Sequence, residues 1–127
     1  MINTFSLNKK IRIKCCNKIM FFNPDDIIYI TKDGRYSIIK TKKKDYLCSK
    51  PLKYFESEFE KYKIIRVHKS YLINFNYVDY IKKENYRNIK LYIKKYDLQI
   101  KVGGKYLDKI KNSRIYNLNS HIHNIKS

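Results

Sequence analysis

The chain has 127 residues, enough for one domain with a buried core, and it carries a formal net charge of +18. Self-repulsion on this scale destabilises a compact state, so the charge predicts a polyanionic partner, nucleic acid first and an anionic membrane surface second. A membrane-spanning protein is excluded because no apolar run is long enough, and the N terminus lacks a signal-peptide pattern. AT-rich coding would also raise the lysine content, without any binding role.

Short strands dominate the first third of the chain. Residues 1–10 are polar and predict a loose N-terminal segment. Apolar and polar residues then alternate at the period of half-buried strands, with turn residues between them. The pattern predicts strands at 11–16, 19–22, 27–30, 36–41 and 46–48, with an Asp-Gly hairpin turn after the third.

One helix interrupts the strands. Ser49-Lys50-Pro51 is typical of a helix start, with proline in the first turn. Leu52, Phe55 and Phe59 recur at helical spacing and predict one apolar face, in a helix that ends near Tyr62. Three glutamates lie in the same segment, so we expect this helix to face away from a polyanion.

The second half returns to strands and closes with a short helix. The pattern predicts strands at 77–81, 89–93 and 98–102, and a helix at 105–111 with Leu107 and Ile110 inward. Residues 113–127 form a polar tail, either a frayed extension or an amphipathic helix. We therefore predict a mostly β domain at 11–112, between the segment 1–10 and the tail 113–127.

Catalytic and metal-binding patterns are sparse. No nucleophile elbow, paired carboxylates or HExxH motif occurs, so we expect no enzyme, no cofactor and no small-molecule substrate. The number of cysteines is odd, and two of the three are adjacent: Cys15, Cys16 and Cys48. This favours free thiols in a reducing cytoplasm. Zinc-ligand spacings are missing, and His121-Ile122-His123 is a weak signal, so we expect no metal.

The stretch from residue 65 to residue 74 combines apolar side chains that suit a core with polar side chains that suit a phosphate or a base edge. The apolar members are Ile65, Val67, Leu72 and Ile73, and the polar members are Arg66, His68, Lys69, Ser70 and Asn74. We predict that the His68 ring hydrogen-bonds the backbone and fixes the loop; a phosphate contact is the alternative.

Basic residues concentrate in the predicted turns and strand ends. A turn at the end of a rigid sheet can enter a groove, where lysine–phosphate contacts release counterions and forked or flexible donors read base edges. The residue types suited to reading bases are Arg35, Lys69, Asn74 and Lys105, and Lys42 and Lys43 lie in another basic turn. For most of the lysines a solvated strand face is the simpler interpretation.

The central stretch resembles a family signature. Arg66 to Asn74 is similar to the motif of LytTR-type DNA-binding domains, in which an apolar residue and His precede a polar residue, Ser, an aromatic residue, two apolar residues and Asn. The early strand with Gly34-Arg35-Tyr36 after it, the helix and the later strands agree with the family pattern. The resemblance covers about residues 11–112.

The resemblance implies an elongated stack of small antiparallel β-sheets, about ten strands, with a central amphipathic helix and a short C-terminal helix. It implies a sequence-specific regulator of bacterial transcription whose loops enter successive major grooves of double-stranded DNA. The loop contacts map to Arg35-Tyr36, Lys69 and Lys105, with Arg66 and Asn74 also candidates and His68 and Ser70 in structural roles. Gly103-Gly104 replaces the usual Ser-Arg, which weakens the third contact.

The resemblance also bears on regulation and partners. Such domains usually follow a phosphorylated receiver domain, but Met1 opens almost directly onto the first strand, so we expect no phosphorylation switch. Direct repeats in a promoter, and a second copy on the DNA, are the expected arrangement. Two other functions stay open: a basic adaptor or antagonist of a regulator, and a single-stranded RNA-binding module that stacks bases on tyrosines.

Overall fold

The computed structural model describes residues 10–15 and 17–112, which form ten β-strands and two α-helices. The strands are β1 (Ile11–Cys15), β2 (Lys18–Phe22), β3 (Ile27–Asp33), β4 (Tyr36–Thr41), β5 (Asp45–Cys48), β6 (Ile64–His68), β7 (Tyr71–Asn74), β8 (Tyr80–Asn85), β9 (Asn88–Ile93) and β10 (Leu98–Lys101). The helices are α1 (Leu52–Glu60) and α2 (Leu107–Lys111). No helix in the described ranges is long and apolar enough to cross a membrane.

The strands form three antiparallel sheets. A five-stranded sheet has the order β5-β4-β3-β7-β6, a three-stranded sheet has the order β10-β9-β8, and β1 and β2 form a hairpin. Short turns join most neighbouring strands, as expected for an antiparallel architecture. The predicted mostly β fold with a central and a C-terminal helix is confirmed.

The five-stranded sheet is the middle layer, with a hydrophobic core on each face. One core joins it to the β1–β2 hairpin and α1, and the other joins it to the three-stranded sheet and α2. Successive residues of a strand point to opposite faces, so Leu72 enters the first core and Ile73 the second. Because both faces of the sheet are covered, β3, β6 and β7 contain consecutive apolar residues. A strand with one exposed face would instead alternate apolar and polar residues.

The helix boundaries follow from local chemistry. Leu52, Phe55 and Phe59 are buried on one face of α1, as their spacing predicts. Pro51 is the N-cap residue, and the helix ends at Glu60, two residues before the predicted end. Lys63 then takes a positive φ of 67°, which reverses the chain into β6.

The predicted strand at 77–81 is wrong in its boundaries. Residues Phe75–Tyr77 form a 3₁₀ turn, and β8 begins only at Tyr80. The turn is stabilised at its start because the Asn74 side-chain oxygen accepts from Asn76 N (2.9 Å), and at its end because Val78 N donates to Phe75 O (3.2 Å). This capping by a side chain outweighs the β propensity of the Tyr77-Val78 pair.

The prediction of free thiols is wrong for two of the three cysteines. Cys15 at the end of β1 and Cys48 at the end of β5 form a disulfide across the first core. Both residues are buried, because β1 and β5 point these side chains at the same apolar space. Residue 16 and the His121-Ile122-His123 signal lie outside the described residues. Within those residues, no cluster of potential metal ligands occurs.

The disulfide should contribute measurably to stability. It closes a loop across a sequence separation of 33, so Cys15→Ala with Cys48→Ala should lower the free energy of unfolding by about 2–4 kcal/mol. Urea denaturation with and without dithiothreitol measures the loss. Wild type and a Cys16→Ser control should respond to the reductant, and the double variant should not. An oxidised wild type that shows no response would contradict the bond's contribution.

Candidate nucleic-acid interface

The turn between β6 and β7 is held by the histidine side chain that precedes it. His68 Nδ1 accepts a hydrogen bond from Ser70 N (3.1 Å), and Ser70 O accepts from Lys32 N (3.0 Å) at the end of β3. The first bond requires an unprotonated Nδ1. His68 is half-buried and Lys69 is exposed. The ring therefore makes the loop-fixing backbone contact expected for it, and Lys69 is left at the tip.

The Arg66 guanidinium fixes the backbone of this turn by hydrogen bonding. Its Nε donates to His68 O (3.0 Å) and its Nη2 donates to Lys69 O (2.7 Å). Its Nη1 donates to Glu56 Oε2 of α1 (2.7 Å), in an ion pair whose side chains are only 14% and 30% exposed. A planar fork can satisfy three acceptors at once in this way, whereas a lysine ammonium has no fixed fork.

Two of the predicted DNA contacts are therefore used inside the protein. Arg66 is committed to two carbonyl groups and a carboxylate, so we remove it from the candidate contacts. Asn74 is fully buried, and its amide nitrogen donates to Pro24 O (3.2 Å) and Ile27 O (2.8 Å). It joins β7 to the start of β3 and cannot reach a base without unfolding that junction.

The first predicted loop lies next to the Lys69 turn. Gly34 takes a positive φ of 62° between β3 and β4, a conformation that favours glycine. Arg35 and Tyr36 follow it, both exposed, with Tyr36 at 47%. A groove of about 210 Å³ has both loops in its wall. Its lining residues are Lys32, Gly34, Arg35, Tyr36, Pro51, Leu52, Lys53, Arg66 and Lys69.

The third predicted loop is attached to the same strand as the Lys69 turn. Gly103 N donates to Val67 O of β6 (2.8 Å), and a Cβ at Gly103 would lie 3.8 Å from the His68 Cα. Tyr106 places its ring centre 5.7 Å from the Arg66 guanidinium carbon and 5.9 Å from Lys105 Nζ. The ring therefore lies near both a partly buried cation and an exposed one.

These three loops form one surface, which we call the loop edge: residues 34–36, 68–70 and 103–106. Four cations lie in or beside it, namely Lys32, Arg35, Lys69 and Lys105, with Asp33 as a neighbouring acid. Among the described residues, none of the four forms an ion pair. By contrast, three glutamates of α1 are paired with Lys61, Arg66 and Lys109.

Lys42 and Lys43 do not belong to the loop edge. They follow Thr41 at the opposite end of β4 from Arg35-Tyr36, and a six-residue strand separates the two ends by roughly 17–20 Å. Lys42 Nζ lies 4.0 Å from Asp26 Oδ1. A hairpin places its two turns at opposite ends of the strand, so these two predicted contacts lie apart from the other candidates.

Comparisons with known proteins identify the family. The model of the LytTr DNA-binding domain matches residues 17–114. The chain therefore belongs to the LytTr DNA-binding domain family, the class of response-regulator-like, DNA-binding domains that act in transcription regulation. No protein of curated function matches this chain.

A solved structure shows the same fold. It is the LytTr DNA-binding domain of a Bacillus cereus protein described as a methyl-accepting/DNA response regulator. The two chains share 16% identity with a TM-score of 0.65, over 81% of this chain and 94% of that chain. At this identity the likeness bears on the fold, and the functional assignment comes from the family match.

Sequence reasoning missed one part of the site. Glu56 was grouped with two other glutamates as a reason for α1 to avoid a polyanion, yet it is the partner that fixes Arg66. Nothing in the spacing of Glu56 and Arg66 marks them as a pair, since the helix and the strand meet only in the fold. A lone arginine among apolar strand residues was the available signal.

Arg66→Lys should uncouple the loop edge while keeping the charge. Lysine cannot reach two carbonyl groups and Glu56 together, so the free energy of unfolding should fall by about 1.5–3 kcal/mol, the range for hydrogen bonds to charged groups. Thermal or urea denaturation measures this loss. The exposed Arg35→Lys variant is the control and should unfold like wild type. Equal stability of Arg66→Lys and wild type would contradict the organising role.

Proposed function

We propose that this protein is a sequence-specific regulator of transcription that binds double-stranded DNA by placing the loop edge in successive major grooves. The observation that carries the proposal is that three loops from distant parts of the chain lie side by side, linked by the Lys32–Ser70 and Gly103–Val67 backbone hydrogen bonds. Each loop presents an exposed cation that forms no ion pair with the described residues. The family membership supports duplex DNA as the partner.

The three loops are suited to different parts of the task. Lys69 is at the tip of a turn fixed on both sides by His68 and Arg66, so its main chain is already ordered before binding. Arg35 offers a planar fork that matches the acceptor edge of guanine in the major groove. Lys105 is a point charge and suits a phosphate better than a base. We propose base reading by Arg35 and Lys69, and a backbone contact by Lys105.

We also propose that two copies bind direct repeats in a promoter, in the cytoplasm of a bacterium. Three loops on one edge of a small domain read a short site, and a second copy would lengthen the specified sequence.

Lys69→Ala should relax sequence preference. Removing one base contact should weaken binding to a selected duplex by about 1–3 kcal/mol and leave binding to random duplex nearly unchanged. Gel shifts over a salt series, with a duplex selected from a random pool, measure both affinities. Lys43→Ala is a matched control, because it removes the same charge from the far end of β4.

The result that contradicts base reading is an equal loss on selected and random duplexes for Lys69→Ala. Wild type that never prefers one sequence, and dissociates from all duplexes at moderate salt, would contradict sequence-specific regulation itself. Binding to another regulator in place of DNA would indicate an adaptor, recognisable because duplex would fail to compete with that partner.

Gly104→Arg should strengthen the third contact. Apart from Gly104 and its two chain neighbours, no described residue has an atom within 4 Å of a Cβ built at Gly104, so a side chain can be added there without displacing a packed group. An added guanidinium beside Lys105 should steepen the dependence of log affinity on log salt by about 0.9, one extra phosphate. Gly104→Gln is the uncharged control. An unchanged slope for the arginine variant would place this loop away from the duplex.

A further inference from the structure

The three-stranded sheet has an outer face that the cores do not use. Ile81, Leu91 and Ile100 are paired across its strands and point into the second core. One step along each strand the side chains point the other way, to the surface. The outer face therefore consists of two cross-strand rows, one on each side of the buried isoleucine and leucine row.

One of these rows is a ladder of three lysines. Lys82 of β8 is directly opposite Lys90 of β9, and Lys90 is directly opposite Lys101 of β10. We call Lys82, Lys90 and Lys101 the lysine ladder. Like charges directly opposite each other across strands are destabilising, so this arrangement costs stability unless an anion offsets it.

Within residues 10–15 and 17–112, one acid pairs with the lysine ladder. Lys90 Nζ lies 3.4 Å from Glu84 Oε1. Lys82 and Lys101 are exposed, and among the described residues neither has an ion pair. Three cations against one carboxylate leave this face with an excess of positive charge that complements a row of phosphates.

The lysine ladder lies beside the third loop of the loop edge. Lys101 ends β10, and Lys105 is four residues further on, so their Cα atoms are separated by at most about 14 Å. Val102 N donates to Ile89 O next to Lys90 and Gly103 N donates to Val67 O, which fixes the path between the two sites. One duplex on the loop edge can therefore extend to the ladder.

The second row argues against single-stranded nucleic acid as the occupant. Tyr80 and Tyr92 are stacked on each other with ring centres 4.5 Å apart and planes 9° apart, and Lys94 Nζ is 5.6 Å from the centre of the Tyr80 ring. Single-strand binders use aromatic faces to stack bases. Here one face of each ring is covered by the other ring, so the groups of this surface best suited to bind a ligand are its lysine ammonium groups.

We propose that the lysine ladder binds the phosphate backbone of the duplex segment that flanks the sequence read by the loop edge. The proposal rests on the function proposed above and extends it. The ladder adds affinity without sequence information, because lysine–phosphate contacts release counterions and do not touch base edges. Because the ladder lies beside the third loop, its contact with flanking DNA also sets the orientation of the protein on the site.

Two duplexes and two double variants test this proposal. Hydroxyl-radical footprinting of wild type and of the ladder variant first defines the segment that both protect; a short duplex ends at that segment, and a long duplex adds about one helical turn, ten base pairs, on each side. Lys82→Gln with Lys101→Gln removes two ladder charges. Lys14→Gln with Lys18→Gln removes two exposed charges from the β1–β2 hairpin, on the opposite side of the five-stranded sheet.

On the long duplex, the slope of log affinity against log salt should become shallower by about 1.8 in the ladder variant, because two phosphate contacts are lost. The flanking footprint should disappear on one side. On the short duplex it should match wild type, with an unchanged sequence preference. The hairpin variant should match wild type on both duplexes. The ladder variant should also show an unchanged or raised Tm, because opposed like charges have been removed.

Three results would overturn this proposal alone. The first is an unchanged slope and footprint for the ladder variant on the long duplex, with wild type still bound at its preferred site; this leaves the proposed function intact. The second is the same loss on both duplexes. The third is lost binding to poly(U) with duplex binding unaffected, which would assign the face to single-stranded RNA. Wild type without any preferred duplex would end both proposals, and is recognisable before a variant is made.

Discussion

The interaction on which the loop edge depends is the set of bonds made by the Arg66 guanidinium. It joins α1, through Glu56, to the two carbonyl groups of the turn that presents Lys69, and its central carbon lies 5.7 Å from the centre of the Tyr106 ring. A partly buried charge of this kind needs partners to be stabilising, and here they are two carbonyl groups of the turn itself and the Glu56 carboxylate. The order of the turn is therefore present before DNA arrives, which lowers the entropic cost of binding.

The five-stranded sheet explains why this constraint is available. Because each face of the sheet is covered by a hydrophobic core, β6 and β7 are packed on both sides. Phe55 and Phe59 of α1 belong to one of these two cores. The turn between β6 and β7 then projects from a rigid layer, and the hydrogen bond from Gly103 to Val67 attaches the third loop to the same layer. The charges differ between the two regions: the acids of α1 are paired, whereas the cations of the loop edge form no ion pair with the part of the chain that the structure describes.

Most of the fold could be predicted from the sequence, because alternation and helical spacing record burial directly. Ile11, Ile13 and Cys15 alternate as a strand must, and Leu52, Phe55 and Phe59 repeat as a helix must. What could not be predicted depends on contacts between distant residues: the Cys15–Cys48 bond, the Glu56–Arg66 pair and the burial of Asn74. For the site, residue type named Arg35, Lys69 and Lys105 as candidates, and the structure places these three exposed side chains in neighbouring loops. Residue type could not separate them from Lys42 and Lys43, which only the hairpin geometry places elsewhere.

The most direct test of the central claim is a titration of the isotope-labelled protein with a selected duplex, followed by NMR. The claim is that one preordered edge built from three loops meets the DNA. It predicts that amide shifts change at residues 34–36, 68–70 and 103–106, while those of α1 and of the 42–44 turn stay in place. Shifts confined to α1 or the 42–44 turn, or spread evenly over all exposed lysines, would contradict it.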